Sequence, residues 1–223
     1  MEKKNLISVD GASKSFDLKV LLNEVSIGVS EESRIGIVGR NGDGKSTLIK
    51  ILAGSILPDS GKVSRSKKAI FGMLNQFDLV DSKTRVSEYV LGGLKEHEWA
   101  GKSSTREIFS GLFGSETNKI LNREFVSLSG GEKRRVEIAK LLIEPLNLIL
   151  LDEPTNHLDV EGVAWLSKYL KERKNLAVVV ITHDRWFLDE VSDIMWEVID
   201  GSVEEYEGGY SAYVLAKAER NRQ

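Results

Sequence analysis

Between Leu22 and Ser30 apolar and polar positions alternate, with Val25, Ile27 and Val29 set against Ser26, Gly28 and Ser30. That period of two predicts an antiparallel strand with one wet face. Leu148–Leu151 and Ala177–Ile181 show no alternation. Such short, continuous apolar runs predict strands buried on both faces. Arg34 to Gly39 reads as a similar short strand ending at glycine, and Ala69 to Leu74 is a further candidate.

Elsewhere the apolar positions recur at helical spacing. Ser46 to Ala53 carries Leu48, Ile49, Ile51 and Leu52 and is closed by Gly54. Glu132 to Glu144 places Val136, Ala139, Leu142 and Ile143 on one face. Glu161 to Glu172 lies between two apolar runs, so strand, helix and strand predict a right-handed parallel crossover. Asp200-Gly201 inside Met195 to Tyr206 marks a hairpin, and Ser211 to Gln223 predicts a terminal helix with a charged tail. From Asp78 to Asn122 the texture changes. Gly92, Gly93, Gly101, Gly111 and Gly114 punctuate short helical pieces such as Val86 to Leu91 and Thr105 to Leu112. This stretch predicts a smaller helical subdomain apart from the sheet.

Composition narrows the class. The 223 residues are 41% hydrophobic and 29% charged, which fits a soluble globular chain able to build one sizeable core. A net charge of −3 gives no global basic field to recruit nucleic acid. Zero cysteines exclude disulfides and thiolate metal sites and fit a reducing compartment. No segment reaches the ~20 apolar residues of a membrane span, and the N-terminus has no apolar run of signal-peptide length. A cytoplasmic location without membrane insertion is the expectation.

Two motifs carry the chemistry. Gly39-Arg40-Asn41-Gly42-Asp43-Gly44-Lys45-Ser46-Thr47 matches G-x-x-x-x-G-K-[ST], the P-loop, between a candidate strand and a candidate helix. Gly39, Gly42 and Gly44 let backbone amides curl around phosphate oxygens. Together with Asn41 and Thr47 they frame the cradle. Lys45 is expected to reach the β- and γ-phosphates of a bound nucleotide, and the Ser46 hydroxyl to bind Mg²⁺. The second motif is Leu148-Ile149-Leu150-Leu151-Asp152-Glu153. Two carboxylates directly after a buried strand need compensation by a cation or hydrogen bonds, and strand C-termini are where α/β sheets bind ligands. Asp152 is expected on the Mg²⁺ through water. Glu153 is expected to position or deprotonate an attacking water.

Leu128-Ser129-Gly130-Gly131-Glu132 reads first as a glycine-rich helix cap with Ser129 as the N-cap. In company with the P-loop and the Asp152-Glu153 pair it resembles the signature motif of the ATP-binding cassette (ABC) family. The resemblance covers essentially the whole chain. It implies an α/β P-loop NTPase fold: an ABC-type nucleotide-binding domain with a mixed-sheet core, an N-terminal antiparallel β-subdomain and a helical subdomain. In residue terms the core is 1–77 and 146–210, the helical subdomain about 78–145, and 211–223 the start of an interdomain linker helix.

The resemblance also implies roles residue by residue. Phe16 stands where the family places an aromatic that stacks on adenine; the alternative is a core aromatic at a strand end. Gln76 matches the glutamine that contacts Mg²⁺ and the attacking water, and His183 the histidine that contacts the γ-phosphate. Leu158 and Asp159 match the loop that crosses the dimer interface. Family cassettes pack head to tail, so Ser129, Gly130 and Gly131 would act on ATP held by a second cassette, in tandem or as a dimer. Asn156-His157-Leu158-Asp159 and His183-Asp184-Arg185-Trp186-Phe187-Leu188-Asp189 look like the soluble ABC-F branch. His97-Glu98-Trp99-Ala100 looks most like its Uup-like members. That implies the ATPase motor of a translation- or ribosome-associated factor. The alternative is the ATP-binding subunit of an ABC membrane transporter.

Overall fold

The computed structural model describes residues 4–74, 81, 83–92, 101–220 and 222. Its strands form two sheets. The smaller has the order β2-β1-β4, from β1 (Asn5–Phe16), β2 (Lys19–Ser30) and β4 (Ser60–Arg65), and is antiparallel throughout. The larger has the order β5-β6-β7-β3-β8-β9. It is built from β3 (Arg34–Val38), β5 (Phe71–Leu74), β6 (Leu148–Asp152), β7 (Ala177–Ile181), β8 (Ile194–Ile199) and β9 (Ser202–Glu207). β6, β7, β3 and β8 run parallel, and β9 returns antiparallel to β8, so the sheet is mixed as expected.

The buried-strand expectation holds. Every residue of β7 and Leu148 to Leu151 of β6 are at most 2% exposed. α1 (Lys45–Ala53) buries Leu48, Ile49, Ile51 and Leu52 completely, in one apolar cluster with β1, β2, β3, β6 and β7. Apolar surface buried in this way contributes ~25 cal/mol per Å² to stability. α6, the helix Val160–Glu172, makes the β6-to-β7 crossover, and Asp200 and Gly201 at φ 48° and 81° form the β8–β9 turn. α7 (Arg185–Val191) and α8 (Tyr210–Arg220) complete this part of the chain. No helix among the described residues is long and apolar enough to cross a membrane.

Contacts divide the chain into two compact units: Met1–Met73, Leu146–Glu153 and Ser167–Gln223 form one, and Leu74–Pro145 with Pro154–Leu166 the other. The second is helical. α2 (Val86–Leu91), α3 (Ser103–Phe113), α4 (Thr117–Leu121) and α5 (Gly130–Ile143) bury Val86, Ile108, Phe109, Leu112, Ile120 and Val136.

Two strands enter that the sequence pattern does not mark, and two local expectations change. β1 and β4 carry no clear sequence signal, because β1 is interrupted by register shifts around Gly11 (φ 56°) and β4 has Val63 as its sole apolar residue. Pairing with neighbours, not intrinsic pattern, makes them strands. α5 starts at Gly130, two residues before the expected Glu132, because Ser129 caps it. Its buried face includes Arg134 and Glu137, while Leu142 and Ile143 are half-buried. The Glu137 carboxylate is satisfied there by the hydroxyl of Tyr89 at 2.7 Å.

Candidate functional site

Gly39 to Lys45 turn from the end of β3 into α1. Gly39 has φ 147° and an added Cβ would sit 2.4 Å from the Val198 carbonyl, so backbone and sheet leave room for glycine alone. The loop closes on itself: the Arg40 N–H donates to Asp43 Oδ2 at 2.9 Å and the Asp43 N–H to the Arg40 carbonyl at 3.3 Å. Lys45 is 9% exposed, and its ammonium donates to the carbonyls of Gly39 and Arg40, both at 2.9 Å. An ammonium has three donors, so one remains for a ligand.

Across from the loop, β6 ends in Asp152 and Glu153. The parallel register sets Asp152 opposite Ile181, and the Glu153 N–H extends the ladder to the Ile181 carbonyl at 2.8 Å. Glu153 then takes φ 52°, uncommon for a non-glycine residue and typical of functional turns. Its Oε1 lies 3.3 Å from His183 Nε2. The Glu153 side chain is 22% exposed and that of His183 69%. Burial pushes the Glu153 carboxyl above its ordinary range against the pull of His183 and Lys45, and Asp152 adds to the rise.

Leu21, Asn41, Gly42, Gly44, Lys45, Ser46, Thr47, Asp152, Glu153, Ile181 and His183 line one cavity of about 370 Å³. The fold thus brings together the P-loop, the carboxylate pair and the histidine expected from the sequence. Phe16 is 46% exposed, which removes the core-aromatic alternative. It stands outside that lining, on the β1–β2 hairpin opposite Lys19. That hairpin is tied to the loop by Lys19 Nζ donating to the Gly42 carbonyl at 2.8 Å. Gln76 and the His97–Ala100 segment lie outside the described residues.

Mg²⁺ is bound through one or two carboxylates and substrate phosphates, with several waters retained. Ser46 and Asp152 in the same cavity supply one hydroxyl and one carboxylate, hard oxygens of the right kind. Among the described residues no group of three or more His, Cys, Asp or Glu could hold a metal unaided. The donors present fit a cation that arrives with its nucleotide.

Ser129, Gly130 and Gly131 belong to the helical unit. In the same unit Arg135 pairs with Asp159 at 2.7 Å, and Asp159 accepts from the Gly162 N–H at 2.8 Å, capping the start of α6. Those hydrogen bonds, first the one from Gly162, hold the Asp159 carboxyl below its usual range.

Sequence reasoning missed a second cluster. Glu197 of β8 is 4% exposed and accepts from the Tyr213 hydroxyl at 2.8 Å, the Tyr206 hydroxyl at 3.3 Å and Lys217 Nζ. Burial, then Glu204, pushes Tyr206 up to about 12. Burial and Glu197 likewise push Tyr213 up. The cluster anchors α8 beside a cavity of about 440 Å³ that also touches Gly39, Lys45 and His183. Its one sequence signal is a glutamate inside the apolar run Met195 to Ile199.

Residues 22–156 match the ABC transporter family model. The chain is 32% identical, over 98% of its length, to the uncharacterized ABC transporter ATP-binding protein YfmR of Bacillus subtilis strain 168. It is 35% identical, over 93% of its length, to the energy-dependent translational throttle protein EttA of Escherichia coli K12. It spans 40% and 38% of those two relatives. Among solved structures, the dimeric post-hydrolysis state of the ATP-binding cassette MJ0796 with ADP and Pi superposes with a TM-score of 0.75 at 22% identity. That match covers 90% of this chain and 98% of the other.

Proposed function

This chain belongs to the ABC transporter family of ATP-binding cassettes, and from that premise we propose that it hydrolyses ATP to ADP and phosphate with Mg²⁺. The observation that carries the reading is the Glu153–His183 pair facing Lys45 and Ser46 across one cavity. Lys45 and the loop amides hold the phosphates. Mg²⁺, held by Ser46 and Asp152, supplies charge neutralisation when bound. Glu153, raised by burial, takes the proton of the attacking water, since a base works best with a pKa nearer the working pH. His183 orients that carboxylate and meets the γ-phosphate, with Gln76 sharing the contact. Exposed Phe16, tied through its hairpin to the loop, offers a face for adenine.

Residues 1–223 would act as one nucleotide-binding domain, with 211–223 opening a linker helix. Each motif occurs once, so the domain works with a second cassette, in tandem or head to tail, whose ATP meets Ser129, Gly130 and Gly131. Asn156 to Asp159 and His183 to Asp189 support an ABC-F assignment, Uup-like on the His97–Ala100 segment. The likeness to a translational throttle protein supports a cytoplasmic, ribosome-associated role. The second reading, an ATP-binding subunit of a membrane transporter, draws on the likeness to YfmR.

The test is Glu153→Gln. Turnover is expected to fall ~100- to 10,000-fold, the range of a lost general base, while ATP still binds and drives association of cassettes. Phosphate release and sedimentation with ATP read both, and unchanged turnover removes Glu153 from its role. Chelation of Mg²⁺ is expected to stop hydrolysis reversibly. Ribosome cosedimentation of the ATP-bound variant separates the two biological readings.

A further inference from the structure

The signature turn carries a carboxylate where a phosphate is expected to arrive. Glu132 and Ser129 form a capping box: the Ser129 N–H donates to Glu132 Oε2 at 2.7 Å and the Glu132 N–H to Ser129 Oγ at 3.3 Å. The box consumes those two amides. The amides of Gly130 and Gly131 have no acceptor inside the helix, and the Ser129 hydroxyl keeps its hydrogen to donate. A negative charge at the third helical position opposes any anion brought to these donors.

Arg123 meets that charge. Its Nη1 lies 2.5 Å from Glu132 Oε1, and its Nη2 donates to the Ser127 carbonyl at 2.7 Å. One planar guanidinium thus grips the chain just before Leu128 and just after Gly131, using the fork geometry that lysine lacks. Arg123 is itself fixed: its N–H donates to the Ile120 carbonyl at 3.1 Å, and its carbonyl accepts from the Val86 N–H at 2.9 Å. Burial opposes ionisation of Glu132, but the hydrogen bonds from Ser129 and the pair with Arg123 hold its carboxyl below the usual range. Glu132 is therefore ionised at neutral pH, and Arg123 is its counter-charge.

We propose that Arg123 is a positioning residue of the signature turn, neutralising Glu132 and fixing Ser129, Gly130 and Gly131 so that they accept the ATP phosphates of a second cassette. The assignment rests on the composite-site reading above. It separates two contributions of Arg123: grip on the turn and counter-charge to Glu132. Glutamine at position 132 keeps the capping box and removes the charge, so it isolates the second.

The experiment measures ATP-driven association of the 223-residue chain carrying Glu153→Gln, by sedimentation across an ATP titration. Adding Arg123→Ala is expected to raise the ATP concentration for half-association roughly tenfold, the scale of one uncompensated like charge near a phosphate. Adding Glu132→Gln as well is expected to shrink the shift to about two- to threefold relative to Glu132→Gln without the Arg123 change, because residues in contact are not additive; the remainder is the lost grip on the Ser127 carbonyl. Arg123→Lys, which keeps charge but not the two-point grip, is expected to fall between. It also carries the test should Arg123→Ala unfold by circular dichroism. No shift on Arg123 replacement, or a shift that Glu132→Gln leaves in place, overturns the counter-charge assignment. Failure of the Glu153→Gln background itself to associate with ATP instead sinks the composite-site reading and the Arg123 assignment with it.

Discussion

Glu153 and His183 reach each other across the parallel register that pairs Asp152 with Ile181, and their side chains end 3.3 Å apart. Two strand ends thus converge on one side of the P-loop cavity. Burial raises the Glu153 carboxyl. A carboxyl raised on folding stabilises the fold where it is protonated, at pH below its unfolded range, and that contribution is lost as pH rises through the folded pKa. Glu153→Gln is therefore expected to raise the thermal midpoint at neutral pH, with the gain closing as the solution is acidified. The acid limb of turnover in the parent should stand above the ordinary carboxylate range. A lower midpoint for the variant at neutral pH would contradict this.

Lys45→Met removes the ammonium that bonds the Gly39 and Arg40 carbonyls. Charge-assisted hydrogen bonds contribute ~1.5–3 kcal/mol each, so ATP affinity should drop about ten- to a hundredfold. Titration with a fluorescent nucleotide reads it; unchanged affinity would remove Lys45 from the phosphate site.

Two glycines should behave oppositely. Gly39→Ala places a Cβ 2.4 Å from the Val198 carbonyl at φ 147° and should cost about 1–3 kcal/mol in urea unfolding. Gly130→Ala meets nothing within 4 Å and should leave stability within about 0.5 kcal/mol of the parent. Equal losses at both positions would count against the close approach at Gly39.

Lys217→Met strips a cation from Glu197, which stays buried with two tyrosine hydroxyls. Full burial of both partners would cost ~3–5 kcal/mol on breaking the pair. Lys217 is 36% exposed, and water screens part of that, so about 1–2 kcal/mol is expected. Hydrogen exchange should rise first across Tyr210 to Arg220. Unaltered protection there would show that α8 is held by its aromatic contacts alone.

The sequence determined whatever depends on local pattern. The apolar runs of β6 and β7, the period of α1 and the Asp200-Gly201 turn were legible because burial and backbone conformation act on neighbouring positions. The P-loop spacing and the carboxylates at a strand end placed Lys45, Ser46, Asp152 and Glu153 at a nucleotide site for the same reason. Tertiary structure alone decided the rest. β1 and β4 are strands because they pair with each other, and Phe16 stands exposed on a hairpin that Lys19 ties to the P-loop. The Arg123–Glu132, Arg135–Asp159 and Glu197–Lys217 pairs join residues 9, 24 and 20 positions apart. No periodicity links such positions; the folded backbone does, and desolvation then sets what each charge is worth.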